Sequence, residues 1–327
     1  MDRANSLRQI EEEVFGPFAF AEKQVNFFVN ILRYFFLFTL APIRILLFVG
    51  IVIVSGFWVM LCSLGSGFRR TKRIASWRRF LIKHPVRLGN RLLLYCCGFN
   101  WISKNEFPRF NEPTPYVLLA NHLSYIDVFL HLHLSFCSFV ARKETTNIPF
   151  VGVIAEVVQS VFVDRNDENS RTKTMEAIAD RVNNAHHYDH PLLIFPEGTI
   201  ANDKGIPTFK IGAFNPGKPC VIALTRYWSP FWNIPWVAKS GIANIFKLAS
   251  SPHNSLKLRY YLYVPTEHER EDPYLFRDNV RKFFARELGL PLSQFGYRHH
   301  VVALKYYKGE LELGEAIQQI EKLKDVQ

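Results

Sequence analysis

The 327-residue chain is poor in what several large function classes require. Its five cysteines, Cys62, Cys96, Cys97, Cys137 and Cys220, form an odd set with no C-x-x-C pair. That excludes a disulfide framework and a structural zinc site, and fits reduced thiols in a cytosol-facing protein. No G-x-S-x-G elbow is present, which removes the main hydrolase reading. Neither a Walker A loop nor G-x-G-x-x-G occurs, and there is no internal repeat or low-complexity stretch. Acidic residues are the minority charge, 29 against 40 Lys and Arg, leaving a formal net charge of +11. A positive balance attracts anions of any kind, so the position of the charge has to choose among nucleic acid, phospholipid head groups and phosphorylated cofactors. With 48% hydrophobic and 15% aromatic residues the chain is too apolar for disorder, and its length suits one sizeable domain plus something extra.

The extra part is N-terminal. Ile45 to Leu64 is a run of twenty residues with no ionisable group except Cys62, and a helix of that length spans about 30 Å, one hydrocarbon core. The apolar stretch before it, Tyr34–Ile43, is interrupted by Pro42 and Arg44, and an arginine at a bilayer centre costs ~2.5–3.5 kcal/mol. Two arrangements follow for an anchor at about 31–64 within an N-terminal segment 1–68. Either one helix spans with Arg44 near its end, or two short helices joined at Pro42–Arg44 dip into one leaflet and return. A cleaved signal peptide would start earlier and be shorter. Nine cations then stand between Arg69 and Arg91 without a carboxylate. The positive-inside bias places this collar and everything after it in the cytoplasm. Its neighbours Trp77, Phe80, Leu81, Ile82 and Leu92 to Leu94 mark residues 69–104 as an amphipathic juxtamembrane segment on an anionic leaflet. A solvated basic loop or a nuclear localisation signal is the blander reading, but such signals do not usually adjoin twenty apolar residues. Nucleic acid is dropped as a partner.

From Pro115 onward, short apolar runs alternate with helical patterns: Tyr116–Ala120, Cys137–Ala141, Ser160–Asp164, Pro191–Phe195 and Cys220–Tyr227 as strands, with helices at about Tyr125–Ser135, Phe150–Val158 and Arg171–Ala185. Leu256–Pro265 reads as a later strand, and Pro273–Leu288 as an amphipathic helix that stops at Gly289 and Pro291. Near-continuous apolar strands require a sheet covered on both faces. The expected fold is α/β, a mixed, mostly parallel sheet flanked by helices over residues 105–300, carrying the N-terminal membrane helix or re-entrant hairpin, with a polar helical tail at 301–327.

The first strand runs into Asn121-His122-Leu123-Ser124-Tyr125-Ile126-Asp127. A carboxylate reaching one imidazole nitrogen fixes the tautomer and leaves the other free to take a proton from a hydroxyl. Against that, Ser124 and Asp127 form an S-x-x-D capping box, which gives Asp127 a purely structural job. Pro191–Phe195 runs into Pro196-Glu197-Gly198-Thr199, with Lys210 a short loop later. Strand ends that open into glycine-bearing turns are where α/β sheets bind ligands, and backbone N–H groups beside Thr199 and Lys210 suit a phosphate or phosphodiester; the alternative is an ordinary Gly-Thr turn. Arg165 follows the strand ending at Asp164 and is able to grip phosphate bidentately, unless it pairs with Asp164 or Asp167. Arg142 and Lys143 add charge at the same edge. His131-Leu132-His133 has metal-like spacing, but on a helix the two rings point ~200° apart. No metal site is expected, and His186-His187 and His299-His300 have no carboxylates clustered around them.

Taken together, NHLSYIDVF, SVFVDR, FPEGT and the strand CVIALTRY after FKIGAF resemble the four ordered blocks of the glycerolipid acyltransferase superfamily, the 1-acylglycerol-3-phosphate acyltransferase family in the broad sense. FKIGAFNPGKP, TLAPIRILL and DPYLFRDNVRKFFARELGL are similar to stretches of lysophosphatidylcholine and related lysophospholipid acyltransferases. The resemblance implies a membrane-bound enzyme of the endoplasmic reticulum, its catalytic domain toward the cytoplasm, that moves a fatty acyl group from acyl-CoA to a lysophospholipid hydroxyl. Acyl-CoA is then a co-substrate, and no further cofactor is expected. It implies His122 as general base, Asp127 as orienter, and Arg165, Glu197, Gly198, Thr199 and Lys210 as acceptor or phosphate binders, supported by Asn121, Ser124, Arg142 and Lys143. No D-x-D-x-D-G loop is present, so the calcium modules of some relatives are absent. Glycerol 3-phosphate or lysophosphatidic acid is the alternative acceptor, and a catalytically idle lipid-binding scaffold on the same fold is the alternative of another class.

Overall fold

The computed structural model describes residues 2–20, 22–64, 75–109, 116–164, 170–185, 188, 190–237 and 241–324. Arg69, Arg70, Lys72 and Arg73 of the basic run, Arg165, and His186-His187 lie outside them. The chain opens with α1 (Asp2–Phe15), the long apolar α2 (Phe27–Ser63) and α3 (Ser76–Cys96). Strands and helices then alternate as β1 (Trp101–Lys104), β2 (Val117–Ala120), α4 (Ile126–Leu134), β3 (Ser138–Arg142), α5 (Val151–Val157), β4 (Val161–Val163), α6 (Ser170–Asn183), β5 (Leu192–Ile194), β6 (Cys220–Trp228), α7 (Gly241–Ser250) and β7 (Ser255–Tyr263). Helices α8 (Glu267–Glu271), α9 (Pro273–Leu288), α10 (Tyr297–Tyr307) and α11 (Leu313–Lys324) complete it.

The strands form one sheet in the order β1-β7-β6-β2-β5-β3-β4, parallel throughout except between β6 and β7. Period-two alternation divides the central strands between two cores. Leu118, Ala120, Val221 and Ala223 face Val59 of α2, Val86 of α3, Leu130 of α4 and Leu248 of α7. Val117, Leu119, Ile222 and Leu224 face Ile178 and Val182 of α6 and Phe276, Val280 and Phe284 of α9. This is the mixed, mostly parallel sheet expected. At the C-terminal end, α10 and α11 turn Val302, Ala303, Ala316 and Ile320 onto Phe15 and Phe18, so residues from the two ends of the chain share a third core.

Helix α2 differs from one of the two anchors considered. It is a single helix of 37 residues, about 55 Å at 1.5 Å per residue, and it runs through Pro42 rather than breaking into a hairpin there. Arg44 is not near the end of it. Its Nη1 donates to the carbonyls of Ser251 at 2.6 Å and Ala249 at 3.2 Å, where α7 ends. Arg33, about three turns earlier on the same face, donates to the carbonyls of Phe231 and Lys23 and lies 4.2 Å over the Trp232 ring. With Ala41, Gly56 and Val59 also buried, one stripe of α2 rests on the domain along most of its length. The other sides expose Phe28, Phe35, Phe38, Leu46 and Val54.

The described part of the basic run also has a different job from the one its charge suggests. Arg78 donates to the carbonyls of Cys62 and Leu64 at the end of α2, and Arg87 to those of His133 and Leu134 at the end of α4. Helix C-termini leave carbonyls without intrahelical partners and carry partial negative charge, so a guanidinium there satisfies both needs. Arg91 does the same for the turn carbonyls of Phe99 and Asn100. What α3 turns outward is mostly apolar, Trp77, Phe80, Leu81, Leu88, Leu92 and Tyr95, with His84 between Phe80 and Leu88.

Two glycines of α2 separate packing from propensity. A Cβ at Gly56 would stand 2.2 Å from the Cβ and 2.8 Å from the Cα of Phe150, the residue before α5, whereas nothing lies within 4 Å at Gly50. Gly50→Ala should stabilise by up to ~1 kcal/mol through helix propensity. Gly56→Ala should destabilise by ~1–3 kcal/mol through overpacking. Thermal unfolding of the detergent-solubilised protein reads both; equal effects at the two positions would contradict the α2–α5 contact.

Candidate active site

Three neighbouring strands, β6, β2 and β5, deliver residues to one place, because parallel strands present all their C-terminal ends at the same sheet edge. Asn121 follows β2 and continues its pairing with β6: its side chain donates to the Thr225 carbonyl at 2.9 Å and accepts from Thr225 N at 2.8 Å. The next residue is thereby held at the strand mouth. His122 lies flat on Phe195 at the end of β5, ring centroids 4.0 Å apart and 14° from parallel. Its carbonyl accepts from Ala201 N at 3.0 Å, and its Nδ1 is 2.9 Å from Asp127 Oδ2.

Asp127 is fully buried. Oδ2 also accepts from Leu123 N at 2.8 Å and Ser124 N at 2.9 Å, and Oδ1 accepts from the Tyr227 hydroxyl at 2.5 Å. The two readings of the S-x-x-D segment are therefore both satisfied by one carboxylate. One oxygen caps the start of α4 and meets the imidazole at once. With Nδ1 donating to Asp127, Nε2 is the nitrogen left with a lone pair. Ser124 Oγ takes a long 3.4 Å bond from Ile126 N and is completely buried, which fits a cap.

Glu197 sits in the turn after β5, 2% exposed, with Oε1 accepting from His122 N at 3.2 Å. Oε2 has no partner among the described residues. Burial pushes this carboxyl well above its ordinary range; the His122 N–H opposes that, while Asp127 and Asp203 add to it. Gly198 has φ +67°, and a Cβ there would meet Lys210 Cε at 2.5 Å, so the backbone conformation and the passage of the lysine both favour glycine. Lys210 Nζ lies 4.5 Å from the Tyr297 ring centre. Thr199 is buried beside it in sequence. Arg142 and Lys143 lie at the end of β3, two strands from β2 and thus ~10 Å away by strand spacing; Lys143 pairs with Asp164 at 2.8 Å. His122, Asp127, Asn121, Ser124, Glu197 and Gly198 are brought together; Arg142 and Lys143 stand apart from them.

Three residues at the site were not singled out in the sequence, Tyr227, Phe195 and Asp203, and a fourth, His131, was weighed there only as a metal ligand. Tyr227 stands next to last in β6, after Thr225 and Arg226, and nothing in that stretch of sequence ties it to the His122 turn. The histidine pair is not a metal site. His131 is wholly buried near Asp127 and His122, and desolvation lowers it to about 4, so it is neutral. His133 faces the Arg87 carbonyl at 3.0 Å.

The Acyltransferase family model matches residues 103–219. The chain is 31% identical over 278 residues to lysophosphatidylcholine acyltransferase 1 of Danio rerio, covering 84% of this chain and 53% of that protein. It is 30% identical to lysophosphatidylcholine acyltransferase 1 of Homo sapiens, covering 84% and 51%. It is 29% identical to lysophospholipid acyltransferase LPEAT1 of Arabidopsis thaliana, covering 86% and 80%. The chain thus spans about half the length of the first two. The solved structure of PlsC, the 1-acyl-sn-glycerophosphate (LPA) acyltransferase of Thermotoga maritima, superposes with TM-score 0.51 at 18% identity over 81% of this chain and 98% of that one, a likeness of fold.

Asp203 gives the site a measurable pH signature. Burial raises its carboxyl from 3.8 to about 6, against the pull of Arg226 and with a further push from Asp127. A carboxyl raised on folding favours the folded state below its unfolded value, and that contribution is withdrawn as pH climbs from ~4 to ~6. Asparagine tolerates the φ of +63° found here. The melting temperature of Asp203→Asn should therefore gain on wild type between pH 4 and pH 7; a difference constant over that window would contradict the burial.

Proposed function

This chain belongs to the glycerolipid acyltransferase superfamily, and from that premise we propose that it transfers a fatty acyl group from acyl-CoA to the free hydroxyl of a lysophospholipid at a membrane surface. The observation that carries the reading is the 2.9 Å approach of His122 Nδ1 to a buried Asp127 at the mouth of the sheet. Nε2 removes the proton from the acceptor hydroxyl, and the oxygen attacks the thioester carbonyl. The tetrahedral intermediate expels the CoA thiolate, which takes the proton back from the imidazolium. Asp127 orients the ring and stabilises its charged form. No acyl-enzyme forms, because the serine hydroxyl of the turn, on Ser124, is completely buried away from the acyl donor. Arg165, Thr199 and Lys210 are assigned to the acceptor's phosphate. The names of the relatives favour a lysophospholipid over a phosphomonoester acceptor.

Membrane attachment follows from α2. A helix joined lengthwise to α7, α3 and α5 cannot stand upright in a bilayer without drawing the domain into hydrocarbon. It lies instead in one leaflet, with the outward apolar residues of α2 and α3 among the acyl chains and the site at the interface where lysolipid and acyl-CoA both partition.

Two measurements check these statements. His122→Ala should lower turnover by at least ~10²-fold with folding intact, read by mass spectrometry over a panel of lysolipid acceptors with one acyl-CoA; near-normal turnover refutes the assignment. Cysteines placed singly at Gln24 and Leu64, exposed positions just outside the two ends of α2, in a Cys62→Ser background, should both be labelled by an impermeant maleimide from the same side of sealed vesicles. Labelling from opposite sides would mean that α2 crosses.

A further inference from the structure

The geometry points to Tyr227 as a positioning residue of the acyl-transfer reaction: its hydroxyl engages Asp127 Oδ1 so that Oδ2 stays committed to His122. The inference rests on the proposed reaction and adds a component that comes from a strand other than the dyad's own. Tyr227 is the second-last residue of β6, and its neighbours fix where it points. Asn121 locks β6 to the end of β2 through both Thr225 backbone groups, Phe99 packs on the Tyr227 ring at 5.5 Å, and Arg226 is drawn the other way to the Leu288 carbonyl. The phenol, held there, makes a 2.5 Å bond to Asp127 Oδ1.

Without that bond Oδ1 is a buried carboxylate oxygen with no donor among the described residues. Two consequences follow. The carboxylate is free to turn about its Cβ–Cγ bond, which exchanges the oxygen facing the ring and loosens the imidazole. Its charge, no longer shared with a donor, also bears fully on the neighbouring imidazole. The other groups facing this carboxylate are His131 on α4, neutral through burial, and Glu197 and Asp203 beyond β5, with Arg226 beside Asp203. None of them donates a hydrogen bond to Oδ1, so none substitutes for the phenol.

Tyr227→Phe keeps the ring and its packing. It should lower kcat about tenfold, the scale of one hydrogen bond to a charged group, leave the KM for lysolipid unchanged, and move the acid limb of the pH–rate profile up by ~0.5 unit. In an Asp127→Asn background the same change should cost nothing further, because it acts through Asp127. Replacement by 3-fluorotyrosine, a stronger donor of the same shape, should move the limb down instead and serves if the phenylalanine variant does not fold. The pH dependence of His122 modification by diethyl pyrocarbonate, followed by peptide mass spectrometry, should shift in parallel and needs no turnover. Acyl transfer with an unmoved limb and unmoved labelling, or a full additional loss in the Asp127→Asn background, overturns the role. A wild-type protein inactive on every lysolipid overturns the reaction, while the labelling shift still decides Tyr227.

Discussion

Everything at the sheet mouth depends on one buried carboxylate. Asp127 has no access to water, so each of its acceptor sites has to be filled from within the protein. Donors from three directions do so: the Leu123 and Ser124 backbone, the His122 ring and the Tyr227 hydroxyl. The backbone bonds force the chain to turn sharply after β2, and that turn starts α4 at Ile126. The remaining bonds leave the imidazole with a single orientation. A structural cap and a catalytic orienter are thus not competing explanations of the same aspartate. The bond geometry that begins the helix is the geometry that aims the ring.

The same economy governs the arginines around the long apolar helix α2. In hydrocarbon or beside it, an unpaired guanidinium is costly and so is an unpaired carbonyl. Joining Arg44 to the end of α7, Arg78 to the end of α2 and Arg87 to the end of α4 removes both costs at three places. It also frees the outer faces of α2 and α3 to be apolar without interruption by these heads. An arginine inside an apolar run, read along the chain, suggests a break in the helix. In three dimensions it is the contact that fastens the helix to the domain.

Much of this was legible in the sequence, and the exceptions have physical causes. Strands β2 to β6 were readable because sheets covered on both faces demand apolar runs, and α9 because Asp272 caps it, Pro273 opens it and Gly289 closes it in the left-handed conformation. β1 was not, since Trp101–Lys104 is an exposed edge strand that pairs only with β7 and needs no apolar signature. Of the two arrangements open for the anchor at about 31–64, the hairpin at Pro42 is not the one found, because loss of one backbone bond is outweighed by packing on either side. The proximity of His122 and Asp127 was legible because both lie in one turn. Tyr227 was not, because it reaches that turn from a strand a hundred residues later, and only the pairing of β6 with β2 brings it there.

The two carboxyl groups nearest His122 have opposite surroundings, and the difference suits the chemistry. Asp127 is met by three donors at Oδ2 and one at Oδ1, so both of its oxygens are engaged. Glu197 receives one, leaves its other oxygen without a partner among the described residues, and is driven toward the neutral acid by burial. In the proposed transfer an imidazolium forms against Asp127, and burial disfavours a second negative charge at Glu197 on the other side of the same turn. Environment thus separates two neighbouring carboxyl groups that the sequence presents alike.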